Sequence, residues 1–197
     1  MDINTGIFGQ EETTGYQPGS LEPTAGKYLG STAPDADKEP MHSIDAKGDD
    51  NSGPAGENEE DAWPEELRRF SYNSNYMPGD EIIAEIKFKN GEVGDRISGW
   101  IDFDLNGTFD ESERETAEII AVDSNGDGYV TLKWIVPETR VPYTTYVRLR
   151  YFDSAEDYDS PTNNVNYGEV EDHRMYILSP AGLNPMLPSK SKIKNNE

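Results

Sequence analysis

Asp80-Glu-Ile-Ile-Ala-Glu-Ile-Lys-Phe-Lys89 places Ile82, Ala84, Ile86 and Phe88 on one side of the chain and Glu85, Lys87 and Lys89 on the other. Successive side chains of an extended strand point to opposite faces, so an apolar residue at every second position marks a strand with one face in a core. Working outward, Ile97, Gly99, Ile101 and Phe103 form a second such face, and Val130, Leu132, Trp134 and Val136 a third. Tyr143 to Phe152 adds Val147, Leu149 and Tyr151 against Arg148 and Arg150. Weaker alternation runs over Arg68 to Tyr72, Glu115 to Val122 and Glu169 to Leu178, giving about seven short strands.

The breaks between these runs carry turn chemistry. Asn90-Gly91, Asn106-Gly107 and Asn125-Gly126 supply the positive φ angles that tight connections require, and Pro78-Gly79 precedes the Asp80 strand. No segment of ten or more residues carries a helical stripe. The spacing predicts an all-β fold, an immunoglobulin-like antiparallel β-sandwich over residues 62–180. Residues 1–61 read as an irregular leader rich in Gly, Pro, Ser, Thr and acids, and residues 181–197 as a flexible tail. From 35 to 61 ten acids face two lysines, so this stretch is either a solvated linker or is held down by cations and by the sandwich.

Across 197 residues the net charge is −22, only 34% of the chain is hydrophobic and the mean hydropathy is −0.82. Nucleic acid and anionic membrane are excluded as partners, because such a surface repels them. The natural partners are cations, and the 39 acids offer the hard oxygen ligands that calcium prefers. There is no cysteine, hence no disulfide and no thiolate site. No stretch has the length of apolar residues that a membrane span needs, and the start has neither a basic nor an apolar signal region. Export, if it occurs, requires a signal peptide that this chain does not carry.

The sharpest chemical signal is Asp102-Phe-Asp104-Leu-Asn106-Gly107-Thr108-Phe-Asp110-Glu-Ser-Glu113, which fits D-x-[DN]-x-[DN]-G-x5-E in full. Asp102, Asp104 and Asn106 offer side-chain oxygens at every second residue. Gly107 permits the sharp turn, Thr108 offers its backbone carbonyl, Asp110 can hold a ligating water, and Glu113 can close the shell with both oxygens. The residues upstream, Ser98 to Ile101, read as a strand, so the expectation is a Ca2+ loop hung between strands and not an EF-hand. The alternative is a metal-free turn, since Asp, Asn and Gly are also turn formers. That alternative must accept five acids and no base within twelve residues.

Asp123-Ser-Asn125-Gly-Asp127-Gly128 repeats the first half of this pattern without the closing carboxylate, so it is a calcium site completed from elsewhere or a plain turn. Asp45, Asp49 and Asp50 in the leader, and Glu169, Glu171 and Asp172 near the start of the last strand, are further candidate ligands. For the last three, ion pairs with Arg148 and Arg150 are the alternative.

Tyr28-Leu-Gly-Ser31, Pro34-Asp-Ala-Asp37, Asp45-Ala-Lys-Gly-Asp-Asp50, Gly99-Trp-Ile-Asp-Phe-Asp104, Asn106-Gly-Thr-Phe-Asp110, Trp134-Ile-Val-Pro137, Tyr146-Val-Arg-Leu-Arg-Tyr151 and Gly168-Glu-Val-Glu-Asp172 follow one another in this order. In this the chain resembles the GEVED domain family with its upstream acidic leader, over residues 28–178. The resemblance implies a β-sandwich module of secreted or cell-surface bacterial proteins, among them adhesin-like proteins and multidomain hydrolases whose catalytic domain is separate. It implies no activity of the module itself. Two departures stand out: His173 occupies a position that is usually Tyr, and the leader ends in Glu57-Asn-Glu-Glu-Asp-Ala-Trp63, poorer in Asp than is usual.

Three function classes follow. For an enzyme the chain offers little: His42 and His173 lie in no nucleophile motif, no phosphate-cradling glycine loop is present, and a glycosidase-type carboxylate pair stays open only because acids are so abundant that no one pair is informative. A carbohydrate- or protein-binding accessory module would use Trp63, Trp100 and Trp134 as stacking surfaces, with Trp100 on the face opposite Ile101 and open to exposure; core packing or loop cover is the more common fate of such tryptophans and would sink this class. A structural or adhesive module, stiffened by calcium and partnered by neighbouring domains, surface proteins or glycans, fits best.

Overall fold

The computed structural model describes residues 26–34, 46, 61–71, 78–138, 143–155, 160–162 and 168–178. They form eight strands: β1 (Tyr28–Leu29), β2 (Arg69–Ser71), β3 (Glu81–Lys89), β4 (Arg96–Ile101), β5 (Arg114–Glu118), β6 (Gly128–Ile135), β7 (Tyr143–Phe152) and β8 (Gly168–Leu178). Single 3-10 turns at Glu65–Leu67 and Glu111–Glu113 precede β2 and β5. The tail from 181 onward and most of the leader lie outside the described residues.

Two sheets result, one in the order β1-β3-β6 and one in the order β2-β8-β7-β4-β5. The pairings β3 with β6, β4 with β7 and β7 with β8 are those of the B–E, C–F and F–G strands of an immunoglobulin sandwich. Two points depart from the expectation drawn from the sequence. The pairing of β2 with β8 is parallel, so the sandwich is not wholly antiparallel. The leader is not wholly irregular either, because Tyr28 and Leu29 pair with Lys89 and Phe88 as an eighth strand.

The alternating faces meet as predicted. Ile82, Ala84, Ile86 and Phe88 of β3 and Val130, Leu132 and Trp134 of β6 pack across the sandwich against Ile97 and Ile101 of β4 and Val147, Leu149 and Tyr151 of β7. Burying such side chains yields roughly 1.5–3 kcal/mol each before entropy is charged against it, and this stacking of two apolar faces is what makes the fold. The leader, taken through its ending at Ala62 and Trp63, adds Leu29, Ala62 and Trp63 to the same core, and Leu67 of the first 3-10 turn joins them.

The opposite face of the five-stranded sheet is also buried, against the expectation that Arg148 and Arg150 face water. Trp100, Phe109, Tyr146 and Phe152 cluster there with Ala46 of the leader. Arg148 is directly opposite Asp172 in the β7–β8 ladder and holds it with two hydrogen bonds, Nε to Oδ1 at 2.8 Å and Nη2 to Oδ2 at 2.7 Å. Its remaining nitrogen Nη1 donates to the carbonyl of Pro161, Arg150 donates to that of Ser160, and Phe109 lies 5.4 Å from the Arg148 guanidinium. The strand that carries Asp172 opens at Gly168, where φ is 126° and a Cβ would lie 2.0 Å from the carbonyl oxygen of Tyr151. No side chain other than hydrogen fits at that position.

A fully buried ion pair is costly to break, since the surviving charge has no water to return to. Arg148→Met is expected to destabilise the chain by about 3–5 kcal/mol, and Arg148→Met with Asp172→Leu by much less. Urea denaturation midpoints of the parent and the two variants measure both.

Candidate metal centre

The 102–113 segment is the connection between β4 and β5. Antiparallel pairing of those strands ends with Trp100 opposite Arg114, which brings the two ends of the loop side by side. Asp102 and Glu113, the first and twelfth residues of the motif, are thereby neighbours. One carboxylate oxygen from each of Asp102, Asp104 and Glu113 falls within a sphere where all lie no more than 4.8 Å apart. Among the described residues this is the group of acids so gathered.

Local chemistry fixes the loop from several sides. The Asp102 backbone N–H donates to the carbonyl of Tyr146 at 3.2 Å, and the Thr145 hydroxyl donates to the Asp102 carbonyl. Leu105 and Gly107 take positive φ of 59° and 80°, and between them the chain reverses. That reversal lets the Gly107 N–H donate to Asp102 Oδ2 at 3.2 Å. Glu113 receives the N–H groups of Phe103 at 2.7 Å and Asp110 at 3.2 Å, and its own backbone N–H bonds back to Asp110 in a reciprocal cap. Asn106 lies between Asp104 and Asp110, its amide nitrogen 3.1 and 2.7 Å from their carboxylates, and its Oδ1 accepts the Thr108 N–H at 2.7 Å.

The electrostatics of the loop are unbalanced. Asp102 is fully buried, and its Oδ1 has no hydrogen-bond donor among the described residues. Burial pushes the Asp102 carboxyl up to about 6, with the neighbouring Asp104 adding to the shift against the Gly107 N–H. Burial likewise pushes Glu113 up to about 7, with Asp102 and Asp104 adding to it. A buried carboxylate oxygen without a donor costs free energy unless a proton or a cation meets it. Hard oxygens at this spacing, with lone pairs to spare on both acids, suit calcium.

The other candidate ligands are placed elsewhere. Asp123 accepts the N–H groups of Asn125 at 2.7 Å and Asp127 at 2.9 Å, which is the bonding of a self-contained turn. Asp127 is ion-paired with Lys89, and that contact lowers its pKa. Asp172 belongs to Arg148. Asp45, Asp49 and Asp50 lie outside the described residues.

Glu169 and Glu171 do something that spacing did not reveal. They share the inner face of β8 with His173, Met175 and Ile177, and all five are buried. Glu169 accepts the backbone N–H of Leu29, and Glu171 Oε2 accepts that of Ala62 at 2.9 Å while lying 2.9 Å from His173 Nε2. Burial raises the Glu171 pKa well above the usual range. These two acids fasten the leader to its own sandwich. Lys27 reinforces the attachment with contacts to Asp95 at 3.0 Å and Asp153 at 2.8 Å, and Asp61 accepts the Ser31 N–H at 2.6 Å. The signal was parity: Met175 and Ile177 are apolar at odd positions, and the same parity carries back to 173, 171 and 169.

The tryptophans that a stacking platform would need are interior, in the packing that is their more common fate. Trp63, Trp100 and Trp134 are 2%, 0% and 3% exposed, which removes the flat surface that a glycan would need. Among the described residues no helix is long and apolar enough to cross a membrane.

Residues 96–176 match the family model of the GEVED domain. No curated protein matches the chain. Solved structures to which the chain is similar include the periplasmic chaperone SfaE, 14% identical over 62% of this chain and 57% of that one, with a TM-score of 0.31. The E. coli chaperone DraB is 9% identical over 60% and 54%, with a TM-score of 0.32. The PapD-like domain 7 of human CEP192 is 12% identical over 56% and 81%, with a TM-score of 0.25. The chain spans little more than half the length of the first two.

Because the folded state raises the carboxyls of Asp102 and Glu113 above their unfolded values, their protonated forms favour folding. That contribution is present below about pH 4 and is lost as pH rises through about 6 and 7. In chelator, the melting temperature is expected to fall from pH 5 to pH 8 more steeply for the parent than for Asp102→Asn with Glu113→Gln. Differential scanning calorimetry across that range checks it, and equal slopes would remove these two acids as its source.

Proposed function

Taking residues 96–176 as a GEVED domain, we propose that the chain is a calcium-binding, non-catalytic structural or adhesive module of a bacterial protein that is secreted or displayed on the cell surface. The observation that carries the calcium reading is the donorless oxygen of Asp102, buried and within one ion's reach of Asp104 and Glu113. Asp102, Asp104 and Glu113 would hold the ion by carboxylate oxygens. Asn106, whose amide turns over to present Oδ1, the Thr108 carbonyl and a water on Asp110 would complete the shell.

The ion's part in this reading is mechanical. A cation offsets the repulsion among the five acids of the loop and supplies, at neutral pH, the compensation that protons supply to Asp102 and Glu113 at lower pH. It thereby fixes Phe109 over Arg148 and seals the outer face of the five-stranded sheet. Extracellular calcium is abundant enough to fill even a weak oxygen site. At a hundredfold excess over Kd, binding to the folded state alone adds about 2.7 kcal/mol.

Partners follow from the surface. With a net charge of −22, nucleic acid and anionic lipid are disfavoured, which leaves neighbouring domains, surface proteins or glycans bridged through cations. Isothermal titration of calcium into chelator-stripped protein is expected to show a stoichiometric event that Asp102→Ala and Glu113→Ala each abolish. Binding that survives both substitutions would move the ion out of this loop, and a parent that binds none would leave the loop as a metal-free turn.

A further inference from the structure

The closing residue of the loop is held from the far side of the sandwich. Trp134 lies on β6, in the other sheet, and its indole Nε1 donates to the backbone carbonyl of Glu113 at 2.9 Å. The space for that ring is made by Gly99 of β4, where a Cβ would lie 2.8 Å from the Trp134 ring. The ring cannot shift toward β4, so it transmits the position of its other neighbour.

That neighbour is the leader. Trp63 meets Trp134 edge to face with ring centroids 5.8 Å apart, and lies over His173 at 6.5 Å. The residue before it, Ala62, is the one whose N–H is fastened by Glu171. Asp61, one residue earlier, ties this piece of leader to β1 by accepting the Ser31 N–H and, at 3.1 Å, the Thr32 hydroxyl. From the carboxylate of Glu113 to the leader strand there is thus a continuous series of packed or hydrogen-bonded groups, and both tryptophans in it are interior.

We infer that Trp134 is a positioning residue for the cation site, and that through Trp63 it makes docking of the leader and binding of the cation mutually dependent. The inference rests on the calcium reading above and adds the identity of what the ion regulates. With the leader docked, Trp63 backs Trp134, the indole N–H holds the Glu113 carbonyl, and the carboxylate faces Asp102 and Asp104. With the leader undocked, Trp134 loses its packing partner and Glu113 its fixed anchor. Linkage requires that the factor by which docking tightens calcium equal the factor by which calcium favours docking.

The test uses the full chain and measures both sides of that equality. Calcium affinity is read by calorimetry, and leader docking by the rate of trypsin cleavage after Lys38 and Lys47 in calcium and in chelator. In the parent, calcium is expected to slow leader cleavage by about tenfold, within the usual range for coupled sites. Asp61→Ala, which touches no proposed ligand and no core side chain, should weaken calcium binding by a similar factor. Trp134→Phe, which keeps an aromatic ring but has no N–H, should weaken calcium binding and remove the effect of calcium on cleavage. A purely structural role for Trp134 would lower stability without breaking that correspondence. If the parent binds calcium, Asp61→Ala binds it equally well and cleavage is indifferent to the ion, the coupling is wrong while the calcium reading stands. If the parent binds no calcium, both fall together.

Discussion

A carboxylate taken out of water must be met by a donor or a cation, and this fold buries acids on both faces of one strand. On the inner face of β8, Glu169 and Glu171 are met by backbone N–H groups of the leader; on the outer face Asp172 is met by Arg148. Remove the leader, and Glu169 loses the Leu29 N–H and Glu171 the Ala62 N–H. The leader is therefore part of the charge balance of the core as well as part of its apolar packing. Asp102 follows the same constraint, with one oxygen met by Gly107 and the other by no donor among the described residues.

The same rule separates the two Asp/Asn/Gly loops. Asp127 has Lys89 and Asp123 has two backbone N–H groups, so their charges are compensated within the chain. In the β4–β5 loop Asp102 and Glu113 accept backbone N–H groups and Arg114, at the edge of the loop, reaches Glu111 at 3.8 Å, while no lysine or arginine lies within the segment itself. Two stretches of similar composition thus differ in the supply of positive charge, which comes from β3 for one and not for the other.

How much of this the sequence disclosed depended on range. The two faces of β3, β4, β6 and β7 were legible because an alternating pattern reports directly which side chains enter a core. The β4–β5 loop was legible because its spacing places the oxygens. The cover on the outer face of the five-stranded sheet was not: Arg148, Arg150 and Asp172 are polar, and it takes Phe109, Ala46 and the carbonyls of Ser160 and Pro161, all from outside the strands, to make their positions interior. Strand β1 has two residues, too few for any period. Polarity also misdirected the reading of Glu169 and Glu171, since charged residues at alternate positions indicate a wet face unless the partner that dries them is known. His173 fits this account, as a buried member of the inner row beside Glu171.

The short strand β1 has a consequence for how the module can be cut and expressed. It hydrogen-bonds to β3 at Phe88 and Lys89, and the Gly30 N–H continues the pairing to the Lys87 carbonyl at 2.9 Å. A fragment begun at residue 62, where the composition changes, would expose that part of β3 as an open sheet edge, with unpaired backbone groups beside the apolar side chain of Phe88. Open edges invite pairing with another molecule. The acidic stretch that looks dispensable is thus also a guard against self-association, and the smallest piece of this chain suited to work in isolation begins at residue 26 or before.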